Sequence, residues 1–383
     1  MSAFAKLLSS RWGPIITGCI VGLLAPVLVK LGNPGNMGIC VACFSRDIAG
    51  ALGLHRAAPV QYLRPELPGF ILGSFLAALL FREFRPRGGS APLIRLLLGM
   101  FAAMGAMVFL GCPWRAYLRL AGGDLTAVPG IAGLIAGVAL GLAFLRQGYS
   151  LGRSYTTPFA VGITMPAIAV GILVLLLAAP QFGRTAEGAP TGPIFFSQSG
   201  PGSQHAPIAA SLAAGLVIGF VAQRSRFCTV GALRDFILLR DPHLLSGVLA
   251  LIVTASAVNL LLGQFRLGVV GQPIAHTNHL WNFAGMALAG LAYTLAGGCP
   301  GREFFLSGEG DADAGLFVLG LILGAAFAHN FNAASSPAGP APYGPIITVF
   351  GLAVCILIGL TMRERRPQRP RRSPREVLEE EHA

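Results

Sequence analysis

The sequence predicts an all-α polytopic membrane protein of about ten transmembrane helices, arranged as two inverted repeats with re-entrant half-helices. Three observations lead there. Hydrophobic residues make up 54% of the 383 positions and charged residues only 11%, with a mean hydropathy of +0.67. A soluble domain carries about 25% charged residues, so this chain lacks the polar side chains to coat itself in water. Stretches free of charge at 125–145, 154–183 and 244–265 reach the roughly 20 residues that cross a bilayer as helix. Finally, a cysteine-bearing pattern occurs twice at matched spacing.

Taken in order, a short basic head (Lys6, Arg11) leads into spans expected at 14–31, 66–82, 93–111, 129–145, 158–180, 205–222, 243–262, 281–298, 314–331 and 345–362. No cleavable leader pattern is present, so the first apolar segment is expected to stay as a helix. Ten spans put both termini on one side. With that side cytoplasmic, twenty of the 28 Lys and Arg fall there and eight opposite, the bias of the positive-inside rule for an inner-membrane protein. The net charge of +12 is thereby accounted for by span flanks and by seven arginines in the tail, and nucleic acid is not an expected partner. The divisions are a first repeat over 1–157, a linking helix and external loop over 158–204 and a second repeat over 205–332. A last helix over 333–362 and a disordered cytoplasmic tail over 363–383 follow.

The repeated pattern reads Cys40-Val41-Ala42-Cys43-Phe44-Ser45-Arg46-Asp47 followed by Gly111-Cys112-Pro113-Trp114-Arg115. Its second copy is Cys228-Thr229-Val230-Gly231-Ala232-Leu233-Arg234-Asp235 followed by Gly298-Cys299-Pro300-Gly301-Arg302. Cysteine to Arg-Asp spans six positions in both, and cysteine to Cys-Pro spans 72 and 71. Four spans per repeat plus one linking span turn the second copy upside down, an architecture that places a substrate site near the midplane. The segments 36–52 and 224–240, and those after Cys112 and Cys299, are too short and polar to span. They fit re-entrant half-helices buried against protein.

Proline suits the first turn of a helix, which puts Cys112 and Cys299 at N-caps beside unpaired N–H groups that attract anions. Arg115 and Arg302 add charge, and Gly111 and Gly298 permit close approach. Cys-Pro is also a plain helix start, so the doubling is what raises it above that. Cys40-x-x-Cys43 alone reads as thiol redox or half a metal site. Its copy has Gly231 in place of Cys43, which leaves Cys40 and Cys228 as the equivalent thiols. Arg46-Asp47 and Arg234-Asp235 are expected to pair, since isolated charges at depth are costly. His276 and His279 lack further ligands, the acidic run 309–313 reads as a solvated turn, and Cys19 and Cys355 read as packing residues. No metal or cofactor is expected. Without a Walker A sequence the chain does not hydrolyse ATP.

At these residues the chain resembles the YeeE/YedE membrane proteins. The stretch from Gly32-Asn33-Pro34 through Cys40 to His55-Arg56, with Gln61-Tyr62-Leu63-Arg64-Pro65-Glu66, is similar to the selenium-metabolism YedE subgroup in particular. The resemblance implies an all-helical hourglass and import of a selenium- or sulfur-containing anion along cysteine thiols. The matching positions are Cys40, Cys112, Cys228 and Cys299, with Cys43 an addition here. It implies a transporter, not an enzyme, with a soft anion as cargo; hand-over of the cargo to a cytoplasmic sulfur or selenium carrier protein is a separate expectation. A membrane thiol–disulfide oxidoreductase or sulfur relay remains the alternative.

Overall fold

The computed structural model describes residues 3–178 and 191–363. The expected tail beyond Arg363 and the start of the external loop lie outside them. A short helix α1 (Ala3–Leu8) precedes a run of α2 (Gly13–Lys30), α3 (Val41–Ala51), α4 (Glu66–Leu80), α5 (Pro92–Phe109), α6 (Pro113–Ala121) and α7 (Ala127–Arg146). Two helices, α8 (Phe159–Gly162) and α9 (Thr164–Ala178), lead to α10 (Ile208–Ser225), α11 (Thr229–Leu239) and α12 (His243–Leu261). The second run continues with α13 (His279–Ala296), α14 (Pro300–Gly308) and α15 (Ala312–Asn330), and α16 (Gly344–Thr361) follows. A single two-stranded ribbon, β1 (Arg87–Gly88) against β2 (Tyr155–Thr156), ties two loops together. Eight apolar runs among the described residues are long enough to cross a membrane, and α4 and α9 are shorter apolar helices. The chain is a multi-pass helical membrane protein.

Six helices therefore recur in the same order of long and short, α2–α7 and α10–α15. The long helices that precede the Cys-Pro elements end where the backbone turns left-handed. Leu110 closes α5 at φ +65° and the corresponding Gly297 closes α13 at φ +105°. Glycine adopts that conformation freely, whereas leucine does so at a steric cost. The next residues, Gly111-Cys112 and Gly298-Cys299, start the half-helices α6 and α14, each with proline in its first turn.

Side-chain contacts fix the direction of each helix. Thr17, early in α2, hydrogen-bonds to Ser225 at the end of α10 (2.8 Å), while Leu31 just past the end of α2 shares a groove with Ala210 near the start of α10. These corresponding helices are antiparallel. Arg95 at the start of α5 likewise donates to the Ala296 carbonyl at the end of α13 (3.0 Å). By contrast, Gly18 and Gly22 of α2 meet Gly247 and Leu251 of α12 in step, and Gly215 and Gly219 of α10 meet Glu66 and Phe70 of α4. Those pairs are parallel. Numbering the spans from α2 to α16, with α3, α6, α11 and α14 returning to the side they left, gives both sets the parity they need. The two runs of six are thus inverted copies.

Small residues make the interlock close. A Cβ on Gly215 would lie 2.5 Å from the Glu66 carbonyl oxygen, so the helix backbones touch, as in membrane helix pairs built on small residues four apart. The exposed large hydrophobics, among them Leu80, Val174, Leu261 and Ile346, point away from this interlock, where acyl chains replace water.

The antiparallel placement of α2 and α10 predicts that a Thr17→Cys/Ser225→Cys variant forms a disulfide under mild oxidation, while Thr17→Cys/Ile208→Cys does not. Peptide mass spectrometry of the oxidised protein reads both. The reverse pattern would mean that the two helices run in the same direction.

Candidate functional site

Four half-helices begin at four cysteines. Cys40 caps α3 and accepts a hydrogen bond from the Cys43 amide (3.3 Å). Cys228 caps α11 and accepts from the Gly231 amide (3.2 Å). Cys299 caps α14 and accepts from the Arg302 amide (3.4 Å), and Cys112 stands at the same place before α6. Each has extended backbone, and the thiols of Cys40, Cys228 and Cys299 turn back toward the first turn of the helix they start. All four are buried.

They gather in two groups. Cys40 and Cys43 are 2.8 Å apart at sulfur, with Cys112 beside them. Cys228 accepts from the Cys299 amide (3.3 Å), which pairs the two thiols of the second repeat. Tyr293 lies near Cys40, Cys43, Cys112 and Cys299, and Tyr117 lies near Cys228 and Cys299. Each group is thus lined partly by the other repeat.

A cavity opens at each end. One, of about 230 Å³, lies at the C-terminal ends of α2 and α12 and is lined by Asn36, Gly38, Gln264, Arg266 and Gln272, two residues from Cys40. The other, of about 610 Å³, lies at the N-terminal ends of the same helices and contains Cys228 with Arg224, Arg226, Arg234 and Arg302. Because α2 and α12 are parallel, the cavities are at opposite faces of the protein with the thiols between them.

The two arginines of the Cys-Pro elements behave differently. Arg115 is fully buried and donates to the carbonyls of Asn36 (2.9 Å) and Ile274 (3.0 Å), to that of Leu110, and to the Cys43 thiol (3.4 Å). No carboxylate pairs with it among the described residues, so its positive charge is left uncompensated beside three thiols. Arg302 pairs with Glu309 (3.2 Å), which also holds Arg226 (3.0 Å). Arg302 is thus paired, through a carboxylate that it shares. Gly111 and Gly298 make room for protein side chains. A Cβ on Gly111 would sit 3.0 Å from Arg115 Cδ, and one on Gly298 would sit 2.5 Å from Glu303 Oε1.

Arg46-Asp47 and Arg234-Asp235 both pair, at 2.7 and 2.8 Å. The first pair is buried and joined by Arg64, whose Nε donates to Asp47 Oδ2 at 2.8 Å. Arg64 further donates to the carbonyls of Pro201 and Gln204, tying α3 to the segment before α10. Nothing in residue spacing announced Arg64, 17 positions from its partner. Arg119 with Asp124 (2.7 Å) is a second buried pair that only packing reveals. The run 309–313 departs from the solvated turn expected of it. Glu309 and Asp313 are buried because Arg87, Arg226 and Arg302 converge on the first and the Gly89 and Ser90 amides on the second. His276 is also buried and hydrogen-bonds to the Val108 carbonyl (2.9 Å), a structural role.

These features define a class, a polytopic helical membrane protein built from inverted repeats with thiols at the tips of broken helices. Residues 224–368 match the family model described as sulphur transport. The chain is similar to the thiosulfate transporter TsuA of Escherichia coli, 31% identical over 106 residues, which are 27% of this chain and 29% of that protein. It is likewise similar to the TsuA of Spirochaeta thermophila, 32% identical over 114 residues, 30% of this chain and 34% of that one. The matched part thus spans about a third of the length of each relative. The YeeE/YedE resemblance read from the cysteine motifs is borne out at the level of the family, and neither relative's name carries the selenium subgroup.

The two Arg-Asp pairs differ in burial, with Arg46 3% and Arg234 39% exposed, and this sets a prediction. Asp47→Ala strands two buried guanidinium groups and should cost about 3–5 kcal/mol, seen as a large drop in thermal stability in detergent. Asp235→Ala should cost less than about 1 kcal/mol. Equal losses would contradict the burial difference.

Proposed function

We propose that the protein imports a soft, sulfur- or selenium-containing oxyanion, thiosulfate or a selenium counterpart, along the thiols of Cys40, Cys112, Cys228 and Cys299. The observation that carries the reading is the placing of four buried thiols at helix N-termini between two opposed cavities. Helix N-termini favour negative charge, thiols offer weak S–H donors to soft atoms, and the uncompensated Arg115 attracts an anion without a carboxylate to compete. Cys43 stands beside Cys40 at the Arg115 guanidinium and enlarges the first group. The names of the two relatives support the sulfur chemistry. On the Lys and Arg count, the cavity beside Cys40 faces outward and the arginine-lined one faces the cytoplasm of an inner-membrane protein. There a sulfur or selenium carrier protein would collect the cargo.

Reconstituted in liposomes, the protein should take up labelled thiosulfate or selenite. Cys112→Ala and Cys299→Ala should each reduce uptake about tenfold or more, since a hydrogen bond to a charged group contributes about 1.5–3 kcal/mol. Arg115→Gln should raise KM more than Arg302→Gln, because Arg302 is already paired. Full uptake by both cysteine variants, or none by the parent protein, would refute the proposal. The 2.8 Å approach of Cys40 and Cys43 favours a second reading, a thiol–disulfide oxidoreductase or sulfur relay. A Cys40→Ser/Cys43→Ser variant with unchanged activity would exclude it.

A further inference from the structure

One large side chain packs against chain neighbours of both thiol groups. Trp114, two residues beyond Cys112, is fully buried. Its ring meets those of Phe70, Phe227 and Phe305 at centroid separations of 5.9, 5.6 and 6.1 Å. Phe227 immediately precedes Cys228, so the indole links the chain beside Cys112 to the chain beside Cys228. It also lies against Gly301, two residues beyond Cys299, which is the place in the second repeat that Trp114 holds in the first. A Cβ on Gly301 would lie 3.0 Å from the indole carbons and 3.2 Å from its nitrogen. One large residue therefore fills the space that symmetry would assign to two, and the inverted repeat is broken at its centre.

The indole does not use its polar atom. Trp114 Nε1 has no hydrogen-bond partner among the described residues, nor has the hydroxyl of Tyr293, which is also fully buried. Leaving a buried donor unpaired forfeits its hydration with nothing in return. A phenylalanine would plug the same space without that cost. The indole N–H is a donor only, so what completes it is an acceptor, and a cation has no use for it. Tyr293, near Cys40, Cys112 and Cys299, offers a second donor on the approach.

We propose, on the transport reading above, that Trp114 is both the barrier between the two thiol groups and the donor that an oxyanion meets as it passes between them. The ring blocks the path when no anion is present. Displacement of the ring opens the path over Gly301, whose missing side chain supplies the room, while the N–H accompanies an oxygen of the anion from Cys112 toward Cys228 and Cys299. The residue thereby acts as a specificity determinant for anions that carry oxygen acceptors.

Two readouts test this. In proteoliposomes, a membrane-impermeant thiol reagent applied from the side that labels Cys228 should leave Cys112 unlabelled in the parent protein. Trp114→Ala should speed Cys112 labelling about tenfold or more, and Trp114→Leu, closer in volume, should give an intermediate rate even if the alanine variant folds poorly. Trp114→Phe should label like the parent yet raise the KM for thiosulfate about tenfold, the equivalent of one lost hydrogen bond. Unchanged Cys112 labelling in both Trp114→Ala and Trp114→Leu, or an unchanged KM in Trp114→Phe, would overturn the proposal. The labelling arm does not depend on thiosulfate crossing. Gated labelling in a protein that carries neither thiosulfate nor selenite would refute the transport reading and leave the barrier standing.

Discussion

The structure depends on how a helix can be broken inside a bilayer. The first turn of any helix leaves N–H groups without intrahelical partners, and hydrocarbon supplies none. Here four such ends are buried in protein and turned toward cysteine. A carboxylate or hydroxyl cap would satisfy the amides more strongly. A thiol is a weak acceptor, so it stabilises the break while leaving the positive end of the half-helix available to an anion. The proline after Cys112 and Cys299 removes one N–H from the problem. The left-handed turn at Leu110 and Gly297 aims the half-helix inward. Sequence, backbone and chemistry meet at that one constraint.

Around it, duplication gives symmetry and charge breaks it. The buried triad of Arg46, Asp47 and Arg64 anchors α3, whereas its counterpart Arg234-Asp235 lines the larger cavity and is partly exposed. Arg115 has no carboxylate partner in the first group, and Arg302 shares Glu309 with Arg226 in the second. An anion would therefore meet a gradient from an unpaired guanidinium at the Cys40 side to carboxylate-paired ones at the Cys228 side. That gradient follows from which arginine kept a carboxylate, not from the cysteines, which are nearly alike in the two halves.

Much of this was legible in the sequence because it rests on periodic or local chemistry. The spans were readable from uninterrupted apolar runs, and α2, α12 and α16 fall within about two residues of their expected bounds. The placing of Cys112 and Cys299 at helix starts was readable from proline's missing N–H. What escaped is what arises across the fold. Arg64 reaches Asp47 only because the loop after α3 folds back. Glu309 is buried only because arginines from three segments converge on it, so its acidic neighbourhood misled as a solvated turn. Gly111 and Gly298 do permit close approach, and what approaches them is the side chains of Arg115 and Glu303. Trp114 and Gly301 look unrelated in the sequence, and only the packing of α6 on α14 makes them complements.

The central claim is that the anion's route runs past the thiols from one repeat to the other. Locating a selenium-bearing oxyanion by its anomalous X-ray scattering in crystals of the protein tests it most directly. The account predicts selenium within contact of the Cys40–Cys112 or Cys228–Cys299 sulfurs. Selenium confined to the arginine-lined cavity, with the thiols left bare, would contradict it.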